Sequence, residues 1–188
     1  QQIFGVSVGW GKRLRWPDDY FTLSAELSYT RYMMKDWNYF SLMTNGNCNN
    51  LALRFTLSRN STDNQIFPRR GSEIQLSVAF TPPYSLWDGK DYANLANNPS
   101  SSTYMRELQD KYSWIEYHKW KFKARTFTAL SGHNKCFVLM TRAEIGLLGS
   151  YNKHKPSPFE NYYMGGDGTS GYSSLYSTET IGLRGYDN

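Results

Sequence analysis

The feature that most constrains this chain is a sustained alternation of apolar and polar residues. Between Tyr20 and Met34 the odd positions include the apolar Phe21, Leu23, Ala25, Leu27 and Tyr29, which alternate with the polar Thr22, Ser24, Glu26, Ser28 and Thr30. A period of two is the period of a β-strand that shows a different environment to each face. The same alternation recurs near residues 4–10, 51–58, 73–81, 114–129 and 136–151. The sequence therefore predicts an all-β chain of six long antiparallel strands.

The connections between these strands alternate in length. Residues 16–19 and 131–135 form tight turns, 61–72 is a moderate link, and residues 35–50 and 82–111 form much longer connections. The strands exceed the length of about 5–6 residues that is usual in soluble proteins and reach the about 9–11 residues of a membrane-crossing strand. Short turns on one side and long loops on the other are typical of an antiparallel transmembrane β-barrel.

Composition excludes several other classes of protein. The hydrophobic fraction is 39% and the mean hydropathy is −0.64, and no run approaches the about 20 apolar residues of a transmembrane helix. Aromatic residues make up 16% of the chain, which disfavours intrinsic disorder. The net charge of +5 comes from basic residues that are dispersed along the strands, so nucleic acid is not an expected partner.

One predicted strand places four positive charges on a single face. Lys119, Lys121, Lys123 and Arg125 occupy every second position. Such charges would each cost about 2–4 kcal/mol near the bilayer midplane if they faced lipid. We therefore expect them to face an aqueous barrel lumen, where Arg142 joins them and carboxylates pair with them: Glu26, Glu73 and Glu144.

No catalytic or metal-binding constellation is present in the sequence. The spacing of metal ligands is not found among His118, His133 and His154. The sequence also lacks the motifs of serine hydrolases, zinc proteases and phosphate-binding loops. We expect a protein that is not an enzyme and that uses no metal and no cofactor.

The two cysteines are predicted to lie at opposite ends of the strands. Counting strands alternately up and down places Cys48 at the long-loop end and Cys136 beside a short turn. A membrane-crossing strand separates these ends by roughly 25–30 Å, whereas a disulfide needs Cα atoms within about 7 Å. We predict two thiols and no disulfide between them.

The last part of the chain carries its most specific motif. Residues 158–166 read Pro-Phe-Glu-Asn-Tyr-Tyr-Met-Gly-Gly, with Tyr162, Tyr163, Gly165 and Gly166 at the end, and residues 184–186 read Arg-Gly-Tyr. Glycine allows close backbone approach, and a lone arginine offers five donors for buried carboxylates. This segment is expected to pack against the rest of the protein.

These residues resemble a known family. The pattern P-F-x-N-Y-Y-x-G-G followed by [VIL]-R-G-[FY] closely resembles the lumen-inserted loop of the BamA superfamily of outer-membrane assembly barrels. Residues 66–72 (Ile-Phe-Pro-Arg-Arg-Gly-Ser) resemble the F-P-x-x-G turn of that family, and residues 10–21 resemble a strand-turn-strand of a BamA subgroup. The resemblance covers essentially the whole chain.

The resemblance implies a fold and a function. It implies a sixteen-stranded barrel in the bacterial outer membrane, of which residues 1–151 are central strands and residues 152–188 are the lumen-inserted loop. It also implies upstream POTRA domains and accessory assembly lipoproteins, with unfolded outer-membrane proteins as clients and outer-membrane lipid around the barrel. The loop arginine, here Arg184, would bond to carboxylates of the inner wall, with Gly185 allowing close approach and Tyr186 packing on the wall.

Two further expectations concern the extent of the whole protein and the alternative functions that the sequence allows. Because six strands cannot close a membrane barrel, we interpret the chain as a segment of a larger protein whose closing strands, and the acidic partners of Arg184, lie beyond residue 188. Two other functions stay open at this point. One is a related two-partner secretion barrel that exports a polypeptide, and the other is a soluble β-sandwich that binds carbohydrate through its aromatic residues.

Overall fold

The fold is built on six long strands. The computed structural model describes residues 2–36, 45–131, 137–165 and 179–182, with the backbone alone for 163–165 and 179–182. The long strands are β1 (Gln2–Arg13), β2 (Phe21–Met34), β3 (Gly46–Asn60), β4 (Gly71–Phe80), β5 (His118–Ala129) and β6 (Val138–Gly149). The connection between β4 and β5 contains helices α1 (Tyr84–Trp87) and α2 (Tyr104–Tyr112). Two short strands, β7 (Tyr162–Gly165) and β8 (Glu179–Gly182), pair in parallel.

The long strands form one sheet in the order in which they occur along the chain. Each strand pairs antiparallel with its neighbours, and β1 and β6 are the edges of the sheet within the described residues. Leu27 on β2 lies opposite Val8 on β1 and Leu53 on β3, so the alternating residues of neighbouring strands fall on the same face. The predicted all-β class and the six antiparallel strands are confirmed.

One face of the sheet is apolar and uncovered. Val8, Leu27, Ile145 and Leu147 on this face have 70%, 49%, 57% and 62% of their surface exposed. A continuous exposed apolar surface of this kind is rare on a soluble monomer, and it requires an apolar environment such as lipid.

The hydrophobic core lies on the opposite face, near one end of the strands. It combines side chains of β2, β3 and β4 with side chains from α2 and from the segments next to β5 and β7: Tyr32, Met34, Cys48, Ala52, Ala79, Leu108, Tyr112, Ile115, Tyr117 and Phe159. The rest of this face carries polar and charged residues. We call it the polar face, and the other the apolar face.

The connections divide between the two ends of the sheet. Residues 14–20, 61–70 and 130–137 join consecutive strands at what we call the short-turn end. Residues 35–45 and 81–117 join them at the long-loop end, and the hydrophobic core lies at this second end.

Two features of the long-loop end differ from the sequence prediction. Helix α2 begins within residues 82–111, which the sequence predicts as a loop. It buries Leu108 and Tyr112, which lie one helical turn apart. Strand β5 begins at His118 rather than at Trp114. Residues 113–117 instead hydrogen-bond to Asn49 and Thr81, for example from the amide of Ile115 to the carbonyl of Asn49 at 2.9 Å.

None of the described helices is long and apolar enough to cross a membrane.

Candidate functional site on the polar face

The polar face gathers the charged residues that the sequence singles out. The register places Lys123 between Gln75 on β4 and Glu144 on β6, and Arg125 between Glu73 and Arg142. Lys121 lies one pair further along, between Ser77 and Gly146. The alternation therefore collects these side chains on one wall, opposite the apolar face.

Most ion pairs on this wall are partly open to solvent. Arg125 contacts Glu73 at 3.0 Å, Arg142 contacts Glu144 at 2.7 Å, and Lys123 approaches Glu144 at 3.9 Å. The cations of these pairs have 40–53% of their side chains exposed. Exposed pairs contribute little to stability, so this part of the wall is a hydrated, charged surface.

The third predicted carboxylate partner, Glu26, lies further away. Glu26 on β2 approaches Arg54 on β3 at 3.8 Å, and not a cation of the β5 run. The two lie opposite each other in the β2–β3 register, which the spacing within a single strand does not reveal. Both line a polar cavity of about 300 Å³ together with Asn50, Tyr117 and Glu160.

Lys119 has a different environment from the other cations of its strand. Its ammonium lies 2.9 Å from a carboxylate oxygen of Glu160, and the two side chains are 8% and 7% exposed. The ammonium also lies 4.8 Å from the centre of the Tyr162 ring, a distance typical of a cation–π contact. The buried ion pair ties the segment before β7 to the wall of the sheet.

Tyr162 packs on the wall at a glycine. Its hydroxyl donates a hydrogen bond to the carbonyl of Trp120 at 3.1 Å. A Cβ atom added at Gly146 would lie 2.9 Å from the Tyr162 ring, closer than real contacts allow. Gly146 therefore provides the space that this ring occupies on the polar face.

Phe159 completes the attachment of this segment. Its ring stacks on that of Tyr32 on β2 with centroids 4.5 Å apart and planes 15° apart, and Phe159 is 2% exposed. Contacts of Phe159, Glu160 and Tyr162 thus hold residues 159–162 against β2, β5 and β6. The Pro-Phe-Glu-Asn-Tyr part of the sequence motif is where the chain docks on the polar face.

A second buried ion pair joins the long connection to the segment that follows β6. Lys155 approaches Glu116 at 3.8 Å, with side chains 3% and 0% exposed. Glu116 also accepts a hydrogen bond from the amide of Ser85 at 2.9 Å, while its other oxygen has no hydrogen-bond partner among the described residues.

The groups around Lys155 titrate away from their ordinary values. Burial lowers the pKa of Lys155, and the attraction of Glu116 partly opposes this shift. The Lys155 ammonium lies 4.7 Å from the centre of the Tyr92 ring, whose hydroxyl donates to Asp88. Burial, with the bond to Asp88, raises the pKa of Tyr92. The long-loop end is therefore held by buried polar contacts as well as by the hydrophobic core.

The remaining motif residues are placed in part. Tyr163 and Gly165 lie on β7, opposite Thr180 and Gly182 of β8. Gly166 and the residues Arg184, Gly185 and Tyr186 lie outside the described residues. Their predicted docking on the inner wall stays a prediction.

The structure tests the prediction of two thiols for Cys48 but not for Cys136. Cys48 lies at the long-loop end of β3, is fully buried, and is a thiol rather than half of a disulfide. Cys136 lies outside the described residues, so its predicted place at the short-turn end stays a prediction. The described residues contain no group of three side chains that could hold a metal ion.

The sequence does not predict which carboxylates pair with the buried Lys119 and Lys155. Glu160 is 41 residues from Lys119 in sequence, and Glu116 precedes the strand rather than belonging to it. The sequence around Glu160 could have indicated such a partner. Glu160 is a single carboxylate among Pro158, Phe159 and Tyr162, and a carboxylate that is buried where such a segment packs needs a cation.

The fold and this face define a class of protein. A sheet of long antiparallel strands with an uncovered apolar face, and with a charged face on which a later segment docks, is part of a membrane-spanning β-barrel. The family comparison gives a more particular result. Residues 1–187 match the Omp85 superfamily domain, and the chain belongs to the Omp85 superfamily.

Membership fixes location and function in general terms. Proteins of this superfamily are outer-membrane or organellar β-barrels that insert proteins into the membrane or secrete them across it. No curated protein matches the chain in a sequence search.

Proposed function

We propose that this protein is a BamA-type assembly factor, which folds β-barrel proteins and inserts them into the bacterial outer membrane. The superfamily comprises both insertion and secretion barrels, and the proposal rests on the close resemblance of the closing motif to the lumen-inserted loop of the BamA family. The proposed activity makes and breaks no covalent bond and requires no cofactor.

The observation that carries this proposal is the docking of residues 159–162 on the polar face. Phe159 stacks on Tyr32, Glu160 pairs with Lys119, and Tyr162 fills the space above Gly146. These contacts direct the chain onto the wall of the sheet at the start of the loop that resembles the inserted loop of the BamA family. A loop anchored in this way supports a role for the Arg-Gly-Tyr motif inside the barrel.

The rest of the proposal extends the resemblance. In it, residues 1–151 contribute central strands to a sixteen-stranded barrel, and residues 152–188 form its lumen-inserted loop. Arg184 binds carboxylates of strands beyond residue 188, while Gly185 and Tyr186 fit it to the wall. POTRA domains and accessory lipoproteins deliver unfolded client proteins, and outer-membrane lipid surrounds the barrel.

Reconstitution of the full-length protein in liposomes tests the proposal. We expect an unfolded β-barrel client to acquire heat-resistant mobility in gels when the liposomes contain the protein, and to remain unfolded in empty liposomes. Arg184→Ala should reduce the yield of folded client, since it leaves inner-wall carboxylates without their cation. Arg106→Ala, which removes an exposed cation from α2, is the matched control and should leave the yield unchanged.

A different outcome would identify the secretion function. If the liposomes admit a secreted polypeptide into their lumen and leave barrel clients unfolded, the protein is an export barrel and the proposal is wrong. Equal client yields with Arg184→Ala and Arg106→Ala would remove the proposed role of the loop arginine.

A further inference from the structure

The short-turn end contains a turn that is ordered although most of it is exposed. In residues 61–70, the carboxylate of Asp63 accepts hydrogen bonds from the amides of Arg69 at 2.9 Å and Arg70 at 3.2 Å. Asn64 accepts one from the amide of Ile66 at 3.0 Å. These bonds fix the shape of the turn without a hydrophobic core beneath its tip.

Arg59 joins this turn to the neighbouring one. Its guanidinium donates to Asp18 at 2.9 and 3.0 Å, and to Ser61 at 3.0 Å and Ser72 at 3.2 Å. It also lies 5.6 Å from the centre of the Tyr20 ring. The two turns at 14–20 and 61–70 therefore form one connected surface.

That surface presents large apolar side chains to its surroundings. Ile66 and Phe67 are 78% and 77% exposed at the tip of the 61–70 turn, and Trp16 is 83% exposed on the neighbouring turn. The hydrogen bonds of the turn hold Ile66 and Phe67 in this exposed position, although burial would be favourable for both. A surface that keeps apolar side chains exposed beside arginines fits the boundary between headgroups and acyl chains.

The charge of this end differs from that of the opposite one. Residues 12–20 and 59–72 contain six basic and three acidic side chains, a net charge of +3. The described residues 35–36, 81–117 and 150–161 at the other end contain six basic and seven acidic side chains, a net charge of −1. Arg69 and Arg70 are exposed and make no ion pair among the described residues.

We propose that the 61–70 turn is a binding site for anionic phospholipid headgroups in the leaflet on the short-turn side. Ile66 and Phe67 enter the boundary of the acyl chains, and the guanidinium groups of Arg69 and Arg70 bind the phosphodiester oxygens. Guanidinium suits this task because its planar donors match two phosphate oxygens at once. The proposal applies equally to an insertion and to a secretion barrel.

Electron paramagnetic resonance with spin-labelled lipids tests the site in the full-length protein. The measurement compares the association of spin-labelled phosphatidylglycerol with that of spin-labelled phosphatidylcholine at the protein surface. We expect about a twofold preference for phosphatidylglycerol, which added salt removes because it screens exposed charges. This salt dependence uses the unmodified protein and therefore does not rely on any variant folding.

Two charge-matched variants locate the preference. Arg69→Gln/Arg70→Gln should bring the two lipids to equal association, and Lys90→Gln/Arg106→Gln, at the long-loop end, should retain the preference. Heat-resistant gel mobility verifies that each barrel is folded. Equal association of both lipids with the unmodified protein would overturn the proposal. A preference that survives salt or Arg69→Gln/Arg70→Gln, or that the control variant also abolishes, would overturn it as well.

Discussion

Glu160→Gln should loosen the segment that docks on the polar face while leaving the sheet folded. The substitution keeps the size of the side chain but removes the charge that faces Lys119 at 2.9 Å, where both side chains are less than a tenth exposed. Removing one partner of a buried ion pair costs about 3–5 kcal/mol. We take the lower value of about 3 kcal/mol, because the Tyr162 ring continues to contact the Lys119 ammonium.

Hydrogen exchange of the full-length protein measures this loss of free energy in the docked segment itself. A cost of about 3 kcal/mol raises the opening constant of the segment about 100-fold. Amides of residues 158–165 should therefore exchange about 100-fold faster in Glu160→Gln, with little change in β4 and β5.

The matched control for this experiment is Glu73→Gln. It breaks the more exposed pair with Arg125, whose side chains are 37% and 50% exposed, and should cost less than about 1 kcal/mol. If the two variants change the exchange of residues 158–165 equally, the buried pair does not hold the segment and the reasoning fails.

Three other predictions concern a glycine, a turn and a buried lysine. Gly146→Ala should lower the free energy of unfolding by about 1–3 kcal/mol in urea titrations, whereas Gly9→Ala, whose added Cβ would lie 3.9 Å from its nearest neighbour, should change it by less than about 0.5 kcal/mol. Hydrogen bonds from backbone amides lower the pKa of Asp63 below its ordinary 3.8. Its contribution to the order of the 61–70 turn is therefore complete above pH 3.8 and is lost as the pH falls through the lowered pKa. The exchange rate of the Arg70 amide, corrected for its intrinsic pH dependence, should rise only as the pH falls through this lowered pKa. Burial lowers the pKa of Lys155 from its ordinary 10.5, so the folded state binds fewer protons than the unfolded state. The long-loop end should therefore become more resistant to proteolysis as the pH rises towards 10.0, the ordinary pKa of tyrosine, above which ionisation of Tyr92 in the unfolded state opposes the effect. Glu116→Gln should extend this rise to lower pH, and resistance that falls between the lowered pKa of Lys155 and pH 10.0 would contradict the assignment.

The sheet was predictable because one physical rule determines it. The alternation fixes which residues share a face, and the tight turns fix which strands are neighbours, so the register brings Arg125 to Glu73 and Lys123 to Glu144. These contacts arise from local periodicity repeated along each strand.

The attachments at the long-loop end were not predictable by the same rule. Helix α2 has only nine residues, and its clearest signal is the spacing of four between Leu108 and Tyr112. The pairs of Lys119 with Glu160 and of Lys155 with Glu116 join segments about 40 residues apart in sequence. No periodicity links such segments, since tertiary packing alone brings them together.

The unequal length of β3 and β4 has a mechanical consequence. Strand β3 extends seven residues beyond Leu53, which lies opposite the last residue of β4. The space beside this extension is filled by residues 113–117, which bond to Asn49 on one side and to Thr81 on the other. For β4 to slide along β3, these bonds would have to break together with the ladder. Residues 113–117 thus act as a stop that opposes slippage of β4 along β3.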